Sequence, residues 1–150
     1  MTLLNKYIDI AIEEAKKSVQ DIPIGAVIVK NDKVISAKHN NREKINSTTA
    51  HAEILAIEEA NKKLNSWRLD DCDIYITLEP CPMCAWAIIN ARISNVYFGS
   101  YDSQYGAFLS ALNLAKLANS KVNVIGGIKE QECDKLLKEY FRILRNEKNT

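Results

Sequence analysis

The chain has 150 residues, of which 47% are hydrophobic and 26% are charged, a composition that fits a globular domain and excludes a disordered or collagen-like protein. Its longest uninterrupted apolar run, 83–89, has seven residues, far fewer than the roughly 20 needed to cross a bilayer. The net charge of +1 neither requires nor excludes a nucleic acid partner. Charged residues are scattered through the N-terminal segment, so we expect no secretory signal but one cytoplasmic domain over residues 1–150, without membrane association.

The pattern of apolar residues predicts alternating helices and strands. Apolar residues recur at helical spacing up to about Ser18. Two β-rich runs, 25–29 and 34–38, flank a short polar turn and predict a hairpin, and the polar stretch 39–49 is predicted to be a loop. The remaining predicted elements are helices at 50–64, 79–91, 107–118 and from about 130, and strands at 72–78, 95–100 and 122–127.

This order of elements predicts an α/β fold. Helices that recur between buried strands imply a three-layer α/β/α sandwich around a mixed five-stranded sheet. The crossover helices make the later strands parallel, and the opening hairpin adds an antiparallel edge.

The four cysteines fall into two kinds. A reducing cytosol keeps thiols free, so we expect no disulfide framework. Cys72 and Cys133 stand alone in apolar segments, where a free cysteine packs as a small apolar residue. Cys81 and Cys84 form a C-x-x-C motif, which is found in redox pairs, in structural zinc sites and in catalytic zinc sites.

The local geometry of the C-x-x-C motif favours a metal site. Pro82 disfavours helical geometry at Cys81 and suits the first position of a helix, so we predict that Cys81 caps a helix beginning at Pro82. Cys84 lies three residues further on and therefore on nearly the same face. Both sulfurs are then expected to reach one ion just beyond the helix start.

A second helix start is predicted thirty residues upstream, at His51-Ala52-Glu53. Inside a helix, residues two apart point about 200° apart and share no target, whereas in the first turn both can project toward one region. We expect Thr48 or Thr49 to cap this helix, which places His51 and Glu53 in its first turn. Both helix starts are expected at the carboxyl edge of the sheet, where open α/β sheets bind ligands.

The two motifs together predict a catalytic zinc site. His51, Cys81 and Cys84 supply three ligands, the number that leaves the fourth position of a catalytic zinc open to water. The carboxylate of Glu53 is then placed to accept a proton from that water and to return it to a departing nitrogen, as hydrolytic deamination requires.

Three alternatives stay open at this point. A redox pair fits poorly with a His-x-Glu motif as its partner. A structural zinc site needs a fourth ligand, which His39, Cys72 or Cys133 would have to supply. A binding protein that keeps the fold and the zinc but performs no chemistry has no use for the carboxylate of Glu53 beside an open metal position.

These motifs resemble a known signature. The zinc-dependent nucleoside and nucleobase deaminases carry H-A-E followed by P-C-x-x-C, as this chain does at 51–53 and 80–84. Within that superfamily the chain is similar to the bacterial tRNA adenosine deaminases. The further segments that carry this similarity are 22–27, the region of Asn40, 49–54, 77–81, 91–93, Asp102, 106–107 and 140–142.

The resemblance implies a reaction and a set of roles. It implies one Zn²⁺ per chain on the three ligands above, with Glu53 as the catalytic proton shuttle. It also implies that three residues bind the substrate nucleoside, namely Asn40, Ala52 and Asp102. The implied reaction converts the wobble adenosine of a tRNA anticodon to inosine. The implied enzyme is a homodimer that binds the anticodon stem-loop.

The final predicted helix gives weaker, independent support for an RNA substrate. Its basic residues at spacings of three and four are Lys135, Lys138, Arg142 and Arg145. Such a stripe can follow an RNA backbone while unstacked loop bases enter the site. It is equally typical of an ordinary solvated helix face.

Some positions depart from the pattern of the tRNA deaminases. Ser47-Thr48 stands where Asp-Pro is usual, and the segment after Gly106 lacks the usual Gly-Ser and is shorter. Trp86 replaces a small residue and is expected in the core, at a subunit interface or in the pocket. The alternative substrate is a free guanine, cytosine or nucleoside, because deaminases of these compounds also carry Cys-Pro-Met-Cys.

Overall fold

The elements of the fold follow the predicted order. The computed structural model describes residues 2–148, so the first residue and the last two residues of the predicted domain lie outside the described residues. The helices are α1 (Leu3–Ala15), α2 (Arg42–Ile45), α3 (Ala52–Leu64), α4 (Pro82–Asn90), α5 (Leu114–Leu117) and α6 (Glu130–Lys148). The strands are β1 (Gly25–Lys30), β2 (Lys33–His39), β3 (Cys72–Leu78), β4 (Asn95–Ser100) and β5 (Asn123–Ile125).

The strands form one mixed sheet in the order β2-β1-β3-β4-β5. Strand β1 is antiparallel to both β2 and β3, whereas β3, β4 and β5 are parallel. The hairpin turns at Asn31 and Asp32, with φ of 51° and 59°, the left-handed pair that a two-residue turn of type I′ requires. The predicted five-stranded sheet with an antiparallel edge is therefore confirmed.

Helices cover both faces of the sheet, as the predicted three-layer sandwich requires. Side chains alternate along a strand, so Ile74 and Ile76 lie in the core cluster that includes residues of α3 and α4, while Tyr75 lies in the cluster that includes residues of α1 and α6. Cys72 is 0% exposed in the first cluster and Cys133 is 1% exposed in the second. Their prediction as apolar core residues is confirmed.

Close packing of helix α1 on strand β1 requires a glycine at position 25. A Cβ atom on Gly25 would lie 1.9 Å from the carbonyl oxygen of Ala11, a distance at which two atoms overlap. Helix α1 therefore lies directly on the backbone of β1, and the glycine at the start of that strand permits the contact. Among residues 2–148, no helix combines the length and the apolar character needed to span a membrane.

The structure corrects two of the predicted elements. The predicted helix 107–118 is wrong, because only α5 is helical there and residues 101–112 are irregular. The backbone N–H groups of 108–110 donate to the carboxylate of Glu79 instead. The predicted loop 39–49 contains α2, whose first turn is held where the carboxylate of Asp21 accepts the N–H of Glu43 at 3.2 Å.

Two smaller differences concern the C-terminal end of α1 and the side chain of Trp86. Helix α1 ends at Ala15 rather than near Ser18. Trp86 is 48% exposed, so the interpretation of this side chain as a core residue is wrong. It lies on the outer face of α4 instead.

Candidate metal centre

Two helix starts bring the predicted ligands together. Cys81 is the N-cap of α4, with extended backbone at φ −71° and ψ 172°, and Pro82 opens the helix. This confirms the predicted local structure. The N-cap of α3 is His51 itself, with φ −72° and ψ 149°, so the prediction of a threonine cap is wrong.

The position of His51 leaves its ring available. The imidazole makes no capping hydrogen bond to α3, and the carbonyl of His51 accepts the N–H of Leu55 at 3.0 Å as the first bond of the helix. The ring instead meets the cysteines, with Nδ1 lying 3.7 Å from Sγ of Cys81 and 3.5 Å from Sγ of Cys84. Backbone geometry at the two caps thus directs three donor atoms into one space.

These distances fit zinc. The three donor atoms all lie within 4.8 Å of one another. Tetrahedral zinc with ordinary Zn–N and Zn–S bond lengths separates a nitrogen from a sulfur by about 3.6 Å, which agrees with both observed N–S distances. One imidazole and two thiolates are also a donor set that binds zinc in preference to the harder cations Mg²⁺ and Ca²⁺.

The alternative, a structural zinc site with a fourth protein ligand, is not formed by the described residues. Only His51, Cys81 and Cys84 share the candidate centre there. His39 instead lies 3.7 Å from the carboxylate of Glu14, and the other two cysteines are in the core. Three protein donors match the open type of zinc site, in which one position is left for water.

Glu53 lies beside this centre in the first turn of α3. Its side chain is 3% exposed, and its Oε1 is buried without a hydrogen-bond partner among residues 2–148. A buried oxygen without a partner is costly unless a ligand or water completes it. Burial raises the pKa of this carboxyl to about 7, a value suited to both accepting and returning a proton near neutral pH.

Hydrogen bonds among the two cysteines and the histidine shift their pKa values in different directions. Hydrogen bonding from Cys84, followed by the bond with His51, lowers the pKa of the Cys81 thiol to about 4. Hydrogen bonding to Cys81 and burial both raise the pKa of Cys84. Hydrogen bonding with Cys81 raises the pKa of His51. Cys81 is therefore the more acidic thiol of the pair.

Asn40 and Ala52, both predicted to bind the substrate, are joined to each other. Asn40 follows β2 and is 3% exposed, and its Oδ1 accepts the N–H of Ala52 at 2.7 Å. This bond ties the end of β2 to the start of α3. The Nδ2 of Asn40 donates no hydrogen bond within residues 2–148, which leaves an oriented donor near the candidate centre.

Asp102 lies in an irregular segment after β4, which we call the rim segment (residues 101–112). Its Oδ1 accepts the N–H groups of Gln104 and Tyr105 at 3.1 and 3.0 Å, so this carboxylate shapes a local turn. Glu79, which the sequence motifs did not single out, accepts the N–H of Asp102 at 3.1 Å. The signal available was a carboxylate placed between a buried strand and the C-x-x-C motif.

The predicted basic stripe lies on α6. Lys135, Lys138, Arg142 and Arg145 are all exposed along this helix. Arg142 pairs with Glu139 at 2.6 Å, so part of its charge is already balanced. The stripe is separate from the His51, Cys81 and Cys84 group in the chain, and RNA contact by it stays a prediction.

Comparison with known proteins places the chain among deaminases. The family model of the MafB19-like deaminases matches residues 6–145. The tRNA-specific adenosine deaminase of Bacillus subtilis (strain 168) is 43% identical over 152 residues, with 99% of this chain and 94% of the relative covered. That of Aquifex aeolicus (strain VF5) is 38% identical, with 93% of this chain and 95% of the relative covered.

A solved structure agrees with these sequence relationships. It comes from work on A-to-I editing by tRNA:A34 deaminases at the wobble position of transfer RNA. It is 37% identical to this chain and has a TM-score of 0.85, with 88% of this chain and 99% of that chain covered. Both the sequence and the fold therefore match over nearly their full length, and the resemblance predicted from the H-A-E and P-C-x-x-C motifs is confirmed: the chain belongs to the MafB19-like deaminases and, among them, to the tRNA-specific adenosine deaminases.

Proposed function

We propose that this protein hydrolyses the wobble adenosine of a tRNA anticodon to inosine and releases ammonia. The observation that carries this proposal is the buried Oε1 of Glu53, which has no hydrogen-bond partner within residues 2–148, beside the His51, Cys81 and Cys84 group. A carboxylate in this position suits proton transfer to and from a nucleobase. The relatives described as tRNA-specific adenosine deaminases supply the substrate class.

We infer that His51, Cys81 and Cys84 hold one zinc ion per chain. When bound, zinc supplies a Lewis acid that lowers the pKa of water. The protein contributes the two helix caps that aim the donor atoms. It also contributes the buried surroundings, in which Cys84 is 0% exposed and electrostatic interactions are strong.

Glu53 performs the proton transfers in this proposal. Its carboxylate takes a proton from the water that attacks C6 of adenine and delivers a proton to the ring nitrogen. It then passes the second proton to the amino group, which leaves as ammonia while the carbonyl of inosine forms. A pKa raised to about 7 by burial keeps both directions of transfer accessible near neutral pH.

The substrate nucleoside is positioned by Asn40 and the rim segment in this proposal. The Nδ2 of Asn40 donates to the nucleoside, and Ala52 contributes by orienting that amide through its own N–H. Asp102, which lies on the rim segment, contacts the nucleotide from the opposite side.

The wider assembly follows from the same family relationship. We infer that residues 1–150 form a single catalytic domain that works as a homodimer in the cytoplasm, where tRNA takes part in decoding. The exposed Trp86 on α4 is an aromatic side chain of the kind enriched in protein interfaces. The basic stripe of α6 supplies phosphate contacts to the stem.

A substrate panel tests the proposed function. The zinc-loaded protein is incubated with an anticodon stem-loop carrying adenosine at the wobble position, with the same RNA carrying guanosine there, and with free guanine, cytosine and adenosine. Mass spectrometry should detect inosine in the digested wobble-adenosine RNA. The other RNA and the free compounds should remain unchanged. Deamination of a free base while the stem-loop stays unchanged would refute the proposal.

One observation favours a second candidate, a guanine deaminase. The structure of guanine deaminase from Bacillus subtilis is 35% identical to this chain, with a TM-score of 0.64 and with 81% of this chain covered. The lower TM-score and coverage place it behind the tRNA deaminase in similarity. The free guanine sample of the panel decides between the two.

A further inference from the structure

Glu79 is a buried carboxylate that the proposed proton transfers do not use. It follows β3, comes two residues before Cys81, and is 2% exposed. No Lys, Arg or His side chain pairs with it in the part of the chain that the structure describes. A buried charge without a cation must be stabilised by hydrogen bonds.

The rim segment supplies those hydrogen bonds. The N–H of Asp102 donates to Oε1 of Glu79 at 3.1 Å. The N–H groups of Phe108, Leu109 and Ser110 donate to Oε2 at 3.4, 2.8 and 2.9 Å, and the hydroxyl of Ser110 donates to Oε1. Both ends of one irregular segment therefore converge on a single carboxylate.

This arrangement selects one conformation of the rim segment. A carboxylate is an acceptor with about four lone-pair directions, and hydrogen bonds to a charged acceptor are roughly twice as strong as neutral ones. A path that takes these N–H groups away from Glu79 would leave its buried carboxylate without those partners. Since none of the donor residues belongs to a helix or strand, the carboxylate provides order that regular backbone bonding does not.

The rim segment lies at the proposed active site. Strands β3 and β4 run parallel and end side by side at Leu78 and Ser100, so the segment after β4 starts next to the residues that lead into Cys81. The N–H of Ala107 also donates to the carbonyl of Pro80 at 2.9 Å. The segment then exposes an aromatic side chain, since Tyr105 is 59% exposed. Such a ring offers a flat surface for an unstacked RNA base.

We propose that Glu79 is a positioning residue whose carboxylate holds the rim segment in the conformation that binds the nucleotides flanking the target adenosine. This inference rests on the function proposed above and adds to it the residue that sets the geometry of RNA binding. Glu79 touches neither the reacting atoms nor the metal ligands in this role. Its loss is therefore expected to weaken RNA binding and to leave the chemical step intact.

The variant Glu79→Gln tests the role directly. Glutamine keeps the length of the side chain but replaces one acceptor oxygen with an NH₂ group that faces backbone N–H donors. In steady-state kinetics with a wobble-adenosine stem-loop, we expect KM to rise about 10-fold or more, the equivalent of losing a hydrogen bond to a charged group. We expect kcat and the zinc content per chain to stay at the wild-type values, since uniform binding alone is lost.

A second variant reaches the same contact without changing Glu79. A Cβ on Gly106 would lie 2.3 Å from Cδ of Glu79 and 2.5 Å from the carbonyl oxygen of Asp102. Gly106→Ala must therefore displace the rim segment from the carboxylate, and it should raise KM in the same direction. The matched control is Ile8→Ala, which removes a 0% exposed side chain on the other face of the sheet. It should lower the melting temperature without changing KM.

Hydrogen exchange separates this inference from the proposed function. The amides of Leu109 and Ser110 should exchange at least about 10-fold faster in Glu79→Gln than in the wild type, and this measurement needs no substrate. Unchanged exchange at these amides would overturn the inference, and so would an unchanged KM or a loss of zinc that accounts for the lost activity. A wild-type protein that leaves the stem-loop unmodified would instead refute the proposed function, while the exchange result still decides the role of Glu79.

Discussion

The two walls of the candidate site are built in opposite ways. One wall consists of the starts of α3 and α4, where the extended N-cap backbone of His51 and Cys81 and the first turn of α4 at Cys84 place the donor atoms. The other wall is the rim segment, which has no helix or strand of its own in residues 101–112. It is held by the side chain of Glu79, more than twenty residues away in the chain.

This difference in construction suggests that the first wall serves the chemical step and the second wall serves substrate binding. Helix starts provide rigid positions, and a metal centre needs donor atoms fixed to within a fraction of an ångström. An irregular segment held largely by one carboxylate provides a surface that can differ between relatives while the chemical groups stay in place. Variants of the first wall should therefore abolish turnover, whereas variants of the second wall should change substrate binding. The following predictions test that division, beginning with the largest effect.

Cys84→Ala should remove both metal and activity and so establishes the first wall as the metal site. Two remaining donors do not make a stable zinc centre, and the loss of affinity should exceed the roughly 10- to 100-fold cost of removing an outer-shell partner. Zinc content measured by atomic emission should fall from one per chain toward zero, and inosine formation should fall with it. Cys72→Ala, another buried cysteine, is the matched control. A Cys84→Ala protein that keeps its zinc would break the assignment.

Glu53→Gln should abolish turnover while the zinc remains. Glutamine preserves the shape of the side chain but cannot accept and return a proton, so the rate should fall by about 10²- to 10⁴-fold, the usual contribution of a general acid–base. Rapid-quench measurement of inosine gives the rate, and metal analysis gives the zinc content. Glu58→Gln, five residues along α3 at its surface, should leave both unchanged. If zinc is lost together with activity in Glu53→Gln, this carboxylate is structural rather than catalytic.

The two walls also differ in how far the sequence predicts them. The helix start at Cys81 follows from Pro82, and the two cysteines three residues apart share a face by helix geometry alone. These are local effects, and the structure confirms them. The cap of α3 was assigned to a threonine because side-chain propensity favours one, whereas the extended backbone of His51 occupies that position.

The rim segment shows why the other wall escaped prediction. The predicted helix 107–118 begins in the rim segment and has the apolar spacing of a helix, but the backbone donors of 108–110 are taken by Glu79. Contacts between residues so distant in the chain depend on the sheet register that brings β3 beside β4. A single sequence does not reveal which buried carboxylate satisfies which backbone segment. Trp86 illustrates the same limit, since its apolar neighbours suggested the core but its helix face is exposed.

Asn40→Ala should give an intermediate effect, because in the proposed site Asn40 links the first wall to the substrate. The substitution leaves the buried N–H of Ala52 without its partner, which should cost about 1–3 kcal/mol of stability in urea unfolding. It also removes the Nδ2 donor, so kcat/KM should fall by about 10- to 100-fold.

Asn40→Asp separates these two contributions. Aspartate keeps an acceptor for the N–H of Ala52 but has no donor to replace Nδ2. Its stability should therefore lie closer to the wild type than that of Asn40→Ala, while its kcat/KM stays low. Equal activity in Asn40→Asp and the wild type would remove Asn40 from substrate binding and leave it as a helix anchor only.

The smallest effect is expected from the basic stripe on α6, which belongs to neither wall. Lys135→Gln and Lys138→Gln each remove an exposed charge and keep a polar side chain at the position. If each lysine contacts a phosphate, the slope of log K against log salt should become shallower by about 0.7–0.9 per variant, and kcat should not change. Fluorescence anisotropy with labelled stem-loop between low and moderate salt measures the slope.

Lys62→Gln on α3, an exposed lysine of the same type, is the control for a general change in net charge. Arg142 should contribute less than the two lysines, because its ion pair with Glu139 must be broken or shared before it contacts RNA. If the stripe variants give the same slope of log K against log salt as Lys62→Gln, the stripe is an ordinary solvated helix face. In that case, RNA binding depends on the rim segment and the metal site alone, and the contrast between the two walls accounts for all of the recognition.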